Sequence, residues 1–251
     1  MDIKIIVATH KKYWMPDDSM YLPLHVGAEG KESIGYTPDN TGYNISGKNA
    51  NYCELTGLYW AWKNLKADYI GLAHYRRHFS NGKRFGDKKD KVISQVELEK
   101  CLAEADILLP KPRNYWIETN YSQYAHAHHA IDLDTTRAII QEKYPEYIKA
   151  YDESMKRTTG HRFNMFIMKK DKFDEYCEWL FDILFELENR LDISSYNKND
   201  ARVFGFVSER LLDIWLETKG YTYKTMPYVF MESQNWVIKG WNFLKRKVWR
   251  R

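Results

Sequence analysis

Short apolar runs alternate with amphipathic segments along the chain. The runs 3–8, 68–73, 106–109, 163–168 and 222–231 are short and mostly apolar, which predicts buried strands. Helices are predicted from Asn49 or Asn51 to Leu65, over 95–105, and around two later apolar stripes that contain Phe173, Leu180 and Leu187 or Val207, Leu211 and Trp215. Strands that alternate with helices indicate an α/β fold.

The region between the first strand and the first helix lacks such periodicity. Residues 16–49 are rich in Gly, Pro, Asn and Asp, and a loop of this length in a compact domain is often functional. The segment Thr9–Lys12 directly follows the first strand. Because ligands of open α/β sheets bind at the carboxyl ends of strands, this turn is a candidate binding site.

Length and composition limit the class of protein. The 251 residues suit one domain, and three widely spaced cysteines indicate a reducing compartment rather than a disulfide framework. The N-terminus does not resemble a signal peptide, and no apolar stretch is long enough to span a bilayer, so we expect a cytoplasmic protein. Aromatic residues make up 16 %, which favours either surfaces that stack on sugars and bases or an aromatic-rich core.

Positive charge is concentrated at the C-terminus. Residues 236–251 contain six Lys and Arg, no acid and three tryptophans, and removing their charge from the net +4 leaves −2 for residues 1–235. We expect a single domain over 1–235 and a basic aromatic tail over 236–251 that binds an anionic membrane surface or packs on the domain as an amphipathic helix. The acidic body argues against nucleic-acid binding.

The segment 67–79 carries the strongest chemical signal. A predicted buried strand is followed directly by His74, Tyr75, Arg76 and Arg77, so cationic side chains lie at its carboxyl end. Arginine binds phosphate oxygens in a bidentate manner, and both arginines with His74 could neutralise a diphosphate leaving group. In an extended segment, successive side chains point to opposite faces, so Arg76 and Arg77 should face opposite sides. We therefore expect one of them to bind phosphate and the other to hold the loop. The alternative is a surface ion-pair cluster.

Several residue runs together resemble one protein family. They are Thr9-His10-Lys11, Asp39-Asn40-Thr41-Gly42, Asn44-Ile45-Ser46, Lys48-Asn49, Tyr52-Cys53-Glu54-Leu55-Thr56, Tyr59-Trp60-Ala61-Trp62-Lys63-Asn64, Gly71-Leu72-Ala73-His74-Tyr75-Arg76-Arg77, Phe163-Asn164-Met165-Phe166-Ile167-Met168 and Glu209-Arg210-Leu211. From residue 3 to about 232 the chain resembles bacterial capsular and exopolysaccharide biosynthesis proteins. That family is known as a domain of unknown function and is associated with glycosyltransferases, including galactofuranosyltransferases. The run that ends in His-Tyr-Arg-Arg is the most specific of these motifs.

This resemblance implies a fold and a reaction. The fold is GT-A-like: a nucleotide-binding α/β sheet flanked by helices, followed by a helical half on the acceptor side. The reaction is transfer of a sugar, galactofuranose among them, from a uridine diphosphate donor to a lipid-linked saccharide in capsule or exopolysaccharide synthesis. Such an enzyme would be peripheral at the inner face of the cell membrane, where the basic tail would hold it.

Candidate residues can be assigned to each substrate. The donor side is expected to contain Thr9, His10, Lys11, Asn44, Lys48, Asn49, Glu54, His74, Arg76 and Arg77. The acceptor side is expected to contain His126, His129, His161 and Asn164. His126 and His129 could share one helix face as a polar wall, or be ordinary surface histidines, and no Cys or Glu completes a zinc site with them.

Metal binding is a separate question. In the GT-A-like fold an Asp-x-Asp motif usually holds a divalent metal, but here the segment from His74 to Arg76 occupies the expected place, and a cationic side chain can replace the metal's charge. We therefore predict no metal cofactor. The alternative is Mn²⁺ or Mg²⁺ at Asp132 and Asp134, although acids in this position also cap helices.

Inverting transfer requires a general base that deprotonates the acceptor hydroxyl. Glu209 precedes an apolar stripe and is predicted in the first turn of a late helix, where such carboxylates often lie, and Asp200 is the second candidate. The alternative for Glu209 is a structural ion pair with Arg202 or Arg210. A competing interpretation of the whole chain is a non-catalytic carbohydrate-binding or scaffold subunit of a polysaccharide assembly complex.

Overall fold

The computed structural model describes residues 1–232, which contain eleven strands and eight helices. The strands are β1 (Ile3–Thr9), β2 (Tyr21–His25), β3 (Thr37–Pro38), β4 (Tyr69–His74), β5 (Arg77–Phe79), β6 (Ile107–Pro110), β7 (Arg113–Asn114), β8 (Thr159–Gly160), β9 (Phe166–Lys169), β10 (Lys224–Met226) and β11 (Tyr228–Phe230). The helices are α1 (Asn49–Tyr52), α2 (Leu55–Asn64), α3 (Gln95–Leu102), α4 (Asn120–Ala127), α5 (Ala130–Lys143), α6 (Ile148–Lys156), α7 (Lys170–Arg190) and α8 (Val203–Lys219).

Seven strands form the main path of one mixed sheet, in the order β3-β2-β1-β4-β9-β6-β10. β9 runs antiparallel to β4 and β6, whereas the other neighbouring pairs on this path are parallel. The carboxyl ends of β1, β4 and β6 therefore lie at the same edge of the sheet. β5 turns back from β4 through the His74–Arg77 pair and is antiparallel to β11.

Two hydrophobic cores cover the two faces of the sheet. The larger core joins one face to α2, α7 and α8 and includes the fully buried Trp215. The smaller core joins the other face to α3 through Leu98. A glycine is required at Gly71 in β4, because a Cβ there would lie 2.8 Å from the Ile167 side chain and 3.0 Å from the Phe166 carbonyl oxygen on the adjacent β9.

The predicted α/β fold is confirmed, and the structure corrects several element bounds. The predicted first helix is divided at Cys53, whose positive φ of 54° separates α1 from α2. The predicted strand over 222–231 is two strands, since Pro227 between β10 and β11 has no N–H to donate. The predicted strand over 163–168 begins only at Phe166, after a tight turn.

Two predictions about the placement of site residues on helices are wrong. α8 begins at Val203, so Glu209 lies in its second turn rather than its first. α4 ends at Ala127 and α5 begins at Ala130, so His126 and His129 do not share one helix face. Both errors arise where a helix boundary has no side-chain cap to mark it in the sequence, as at Arg202 before α8 and His129 before α5.

The predicted basic aromatic tail lies outside the described residues. Among residues 1–232, no helix has the length and apolar character that crossing a membrane requires.

Candidate active site

A pocket of about 520 Å³ opens where β1 and β4 end, and α1, the segment between α1 and α2, and the start of α8 form its other walls. It brings together eight residues predicted for donor binding or catalysis, namely Thr9, His10, Asn49, Glu54, His74, Arg76, Arg77 and Glu209. Its position agrees with the general rule that ligands of α/β sheets bind beyond the carboxyl ends of the strands.

Arg76 and Arg77 have different surroundings, but the alternation predicted for them does not apply, because Arg76 lies in the turn after β4 and Arg77 begins β5. Arg76 is exposed, and its Nε lies 3.1 Å from Glu232 Oε1. The guanidinium carbon of Arg77 lies 3.6 Å from the centroid of the Phe163 ring and 4.9 Å from that of Phe230. Contacts with these two aromatic rings hold Arg77 in one orientation without neutralising it.

Arg77 also keeps its charge unpaired. Among residues 1–232 no carboxylate forms an ion pair with it, and its Nε is buried without a hydrogen-bond partner. Burial lowers the pKa of Arg77, while the carboxylates of Glu209 and Glu54 oppose that shift. Because a guanidinium titrates far above neutral pH, Arg77 remains a fixed cation with capacity for an anionic ligand.

His74 is a neutral hydrogen-bonding group at physiological pH. Burial, followed by the charge of Arg77, lowers the pKa of His74 to about 4. Its Nε2 lies 2.5 Å from the carbonyl oxygen of Phe163, so the neutral ring donates Nε2–H to that oxygen. His74 therefore positions the Phe163 segment and adds no full positive charge to the pocket.

Three non-glycine residues at or beside the pocket adopt left-handed backbone conformations. The φ angles are 54° at Cys53, 79° at Phe163 and 52° at Asn164. Each such residue costs about 1–3 kcal/mol and persists only where its contacts determine it, which is frequent at binding sites. Phe163 shows these contacts, because its carbonyl accepts the bond from His74 and its N–H donates to Glu209 Oε1 at 3.1 Å.

Glu209 is held at the pocket wall by groups that leave its side chain 21 % exposed. Its second oxygen, Oε2, lies 3.2 Å from Nη1 of the buried Arg210. Nη1 of Arg162 donates to the Glu209 backbone carbonyl at 3.0 Å. The predicted ion pair between Glu209 and Arg210 is therefore present. Each carboxylate oxygen has two lone pairs and accepts one hydrogen bond, so Glu209 can still accept a proton from a substrate.

Glu54 is the second carboxylate of the pocket. Nδ2 of Asn164 donates to Glu54 Oε1 at 2.7 Å, and Ser208 Oγ donates to Asn164 Oδ1 at 2.9 Å, which fixes the orientation of the amide. Burial raises the pKa of Glu54, and the hydrogen bond from Asn164 opposes that shift. Asn164, predicted on the acceptor side, is buried behind Glu54 and orients it.

The pocket contains Arg202 and Cys53, which were not predicted as donor-binding residues. Arg202 directly precedes α8, is exposed, and has its Nε 3.1 Å from Cys53 Sγ. Burial, followed by the charge of Glu54, raises the pKa of the Cys53 thiol to about 11, so the thiol is neutral. Arg202 thus retains its charge for a ligand. The sequence did contain a signal for Arg202, because this cation directly precedes α8, the helix that contains the predicted base Glu209.

Three predicted donor residues do not line the pocket. Lys11 follows the end of β1, with its Nζ 5.4 Å from the centroid of the Tyr75 ring. Asn44 stabilises its own loop, because Nδ2 donates to the Gly42 carbonyl and Oδ1 accepts the Ser46 N–H. Lys48 pairs with Glu188 on α7 at 2.6 Å.

Asp39 organises the irregular region over 16–49. The carboxylate is fully buried and accepts the backbone N–H groups of Gly27 at 2.8 Å and Ala28 at 3.0 Å. It also accepts the hydroxyls of Thr56 at 2.6 Å and of Ser46. Four donors satisfy the buried charge and tie the loop to α2, so this region is a fixed support for the pocket.

Asp200 and the predicted acceptor histidines lie elsewhere. Asp200 Oδ1 lies 2.9 Å from His128 Nδ1, and Oδ2 lies 3.5 Å from His129 Nε2. Burial alone would raise the pKa of Asp200, but hydrogen bonds, chiefly from His128, outweigh it and lower that pKa. Neither Asp200 nor His129 lines the pocket.

The remaining two histidines are each bound to an acid. His126 is exposed and has its Nδ1 2.6 Å from Glu118 Oε1. His161 is buried, with Nδ1 2.5 Å from Asp213 Oδ1, and it directly precedes the Arg162–Phe163 segment that contacts Glu209. His161 is therefore placed to support the pocket from behind.

Asp132 and Asp134 have partners other than a metal. Each oxygen of the buried Asp132 accepts a tyrosine hydroxyl, from Tyr124 at 2.8 Å and from Tyr196 at 2.6 Å. Asp134 accepts the hydroxyl of Tyr121 at 3.0 Å. In the part of the chain that the structure describes, no group of three or more His, Cys, Asp or Glu side chains has an arrangement that could hold a metal ion.

Comparison with known proteins places this α/β fold in a family. Residues 4–220 match the family described as Domain of unknown function (DUF4422), and the chain belongs to that family. The structure is similar to the apo structure of WbbM, a bifunctional glycosyltransferase, with 34 % sequence identity and a TM-score of 0.87. The match covers 93 % of this chain and 46 % of WbbM, so the chain spans less than half the length of that protein. No curated protein matches the sequence.

Proposed function

We propose that the chain is a glycosyltransferase that moves a sugar from a nucleotide-sugar donor to a saccharide acceptor with inversion at the anomeric carbon. The observation that carries the proposal is the pocket at the ends of β1 and β4. There Arg77 and Arg202 have no ionic partner within residues 1–232, and the Glu209 carboxylate lines the same space. The likeness to a bifunctional glycosyltransferase supports the same class of reaction.

In this proposal the arginines bind the diphosphate and Glu209 acts on the acceptor. The acceptor oxygen forms a bond to the anomeric carbon as the bond from that carbon to the diphosphate oxygen breaks. The acceptor proton passes to Glu209, and the leaving diphosphate gains negative charge beside Arg77 and Arg202. Arg76, exposed at the entrance, assists donor capture. Glu54, fixed by Asn164, accepts hydrogen bonds from the sugar hydroxyls.

We further propose that fixed cations take the place of a divalent metal on the diphosphate. The support is the unpaired charge of Arg77 and Arg202 at the sheet edge. Transfer should then persist when EDTA removes free divalent ions. Loss of transfer on chelation, with recovery on adding Mn²⁺ or Mg²⁺, would contradict this part of the proposal.

The substrates are assigned by family resemblance. We propose a uridine diphosphate sugar as donor, with UDP-galactofuranose the first to test, and a lipid-linked saccharide of capsule or exopolysaccharide synthesis as acceptor. The reaction would take place at the cytoplasmic face of the membrane, with residues 236–251 contributing to membrane binding.

Ligand binding and product release together test the function. A panel of nucleotide sugars should raise the melting temperature for the true donor, since a ligand that binds only the folded state stabilises it. That donor should then release its nucleoside diphosphate, slowly to water and faster with acceptor. The non-catalytic alternative predicts saccharide binding with no release of nucleoside diphosphate. Arg77→Ala is the control, because it should lose both donor binding and release.

A further inference from the structure

A loop formed by residues 111–117, here the 111–117 loop, presents two large apolar side chains to solvent. Trp116 is 80 % exposed and the adjacent Ile117 is 62 % exposed. Single exposed apolar residues are common on soluble proteins, but two large neighbours at a loop tip are a feature that needs a physical reason.

The backbone holds this tip in a defined shape. Trp116 has a φ of 63°, an uncommon conformation for a bulky residue. Its N–H donates to Asn114 Oδ1 at 2.8 Å, and the Ile117 N–H donates to the Tyr115 carbonyl at 2.7 Å. β7, within the loop, pairs with β8. The two apolar side chains are therefore presented by a hydrogen-bonded turn.

The neighbouring residue Tyr115 faces inward. Its ring centroid lies 5.3 Å from the guanidinium carbon of Arg113 and 5.7 Å from that of the buried Arg162. Arg162 in turn donates to the Glu209 carbonyl. The tip is thus connected by direct contacts to the segment that forms the pocket.

Charge accompanies the apolar tip. Lys111 and Arg113 are exposed, no acid occurs within 111–117, and neither cation forms an ion pair with any described residue. The loop follows β6, which is parallel to β4, so it leaves the same edge of the sheet as Arg76 and Arg77. Apolar and cationic groups therefore share the edge at which the pocket opens.

We propose that the 111–117 loop inserts Trp116 and Ile117 into the surface of an anionic lipid bilayer, with Lys111 and Arg113 on the headgroups. Tryptophan favours the membrane–water interface, and each cation near an anionic surface contributes about 1 kcal/mol, or about fivefold in binding. The two side chains offer only a few hundred Å² of surface, whereas a stable protein interface needs about 800 Å² from each partner. A bilayer accepts such a tip without a shaped partner.

This membrane contact is independent of the reaction proposed for the pocket, because vesicle binding requires neither donor nor acceptor. It is also a separate contact from any that residues 236–251 make. An experiment on the full-length chain must therefore report on position 116 itself.

The test places an environment-sensitive fluorophore on a single introduced cysteine in the full-length chain. Trp116→Cys carries the label at the tip. Tyr43→Cys carries it at a residue 76 % exposed beyond β3, at the far end of the sheet order. Wild-type chain treated with the same reagent gives the background from Cys53 and Cys101. Vesicles contain phosphatidylcholine alone or with phosphatidylglycerol.

With anionic vesicles, we expect a blue-shifted emission and protection from an aqueous quencher at position 116, and neither change at position 43. Lys111→Gln with Arg113→Gln should weaken partitioning at low salt about 25-fold, from two contributions of about fivefold each. A label at 116 that stays as quenchable as the label at 43 overturns the proposal. A response at 116 to soluble saccharide acceptor but not to vesicles overturns it in favour of a saccharide contact.

Discussion

Two clusters of charged and aromatic side chains meet near the start of α8, and they differ in what remains unpaired. The pocket contains Arg77, Arg202 and Glu209, and its two arginines have no ionic partner among residues 1–232. The second group, here the Asp132 cluster, consists of Tyr124, His128, His129, Asp132, Tyr196 and Asp200. Its acids are satisfied from within the cluster, by the two tyrosine hydroxyls and the two histidines.

Residues two positions apart thus belong to different kinds of site. Asp200 faces the histidines of the Asp132 cluster, whereas Arg202 lines the pocket. Both clusters contain acids, histidines and aromatic rings, so composition does not distinguish them. A buried polar group with all its partners present stabilises the fold, and a charged group without partners beside a cavity is available to a ligand.

The largest expected effect is on the proposed base. Glu209→Gln keeps the shape of the side chain and removes its basicity, so we expect transfer to fall about 10²–10⁴-fold while donor affinity is retained. Transfer rates and donor binding by calorimetry measure the two quantities. Asp200→Asn is the matched control in the other cluster and should change transfer by less than tenfold. If Asp200→Asn instead abolishes transfer and Glu209→Gln does not, the roles of the two clusters must be exchanged.

The arginines should come next in size. Arg77→Ala removes an unpaired cation beside the leaving group, and we expect a loss of about 10²–10³-fold in transfer with little change in melting temperature. Arg76→Ala breaks a half-exposed ion pair with Glu232, worth less than about 1 kcal/mol, and a contact with the Tyr75 ring. We expect this variant chiefly to raise the KM for donor. Equal, wild-type activity of both variants would remove the strand end from the site.

The Asp132 cluster should respond in stability rather than activity. Asp132→Asn replaces one acceptor oxygen by an amide donor that faces a tyrosine hydroxyl. We therefore expect the free energy of unfolding to fall by about 1–3 kcal/mol. Urea denaturation measures this loss, and KM for the donor should not change. A variant of normal stability that loses transfer, restored by added Mn²⁺, would show that this cluster is a metal site.

A smaller effect concerns His78, which belongs to neither cluster. His78 is fully buried against Trp14 and Tyr21, and burial lowers its pKa to about 4. Because the ordinary histidine pKa is about 6.5, the unfolded chain binds more protons between these values, and the free energy of unfolding falls as pH decreases from about 6.5 to 4.

The variant His78→Phe keeps the aromatic packing and removes this titration. We expect it to reduce the pH slope of the unfolding free energy by up to about 1.4 kcal/mol per pH unit in that window. Urea denaturation at several pH values measures the slope, with exposed His126→Gln as control. An unchanged slope in His78→Phe would mean that His78 is not a source of acid sensitivity.

The sequence determined the α/β fold class and the buried first and fourth strands. These features follow from local periodicity, since burial repeats every two residues along a strand and every three to four along a helix. The capping box of α3 is also local, since it is formed by Ser94 and Glu97 within one turn.

Only the tertiary structure decided which polar groups face the pocket. Phe163 joins the site through a carbonyl that contacts His74, 89 positions away, and an N–H that contacts Glu209, 46 positions away. Its strained backbone has no local signal, because the long-range contacts impose it. Asp39 and Asp132 also have no local signal, because their hydrogen-bond donors come from distant segments. Asp200 likewise lies outside the pocket because it pairs with His128 and His129. The hydrophobic pattern of the sequence shows which face of a helix or strand a side chain occupies. The partners of a charged side chain depend on how the helices and strands pack together.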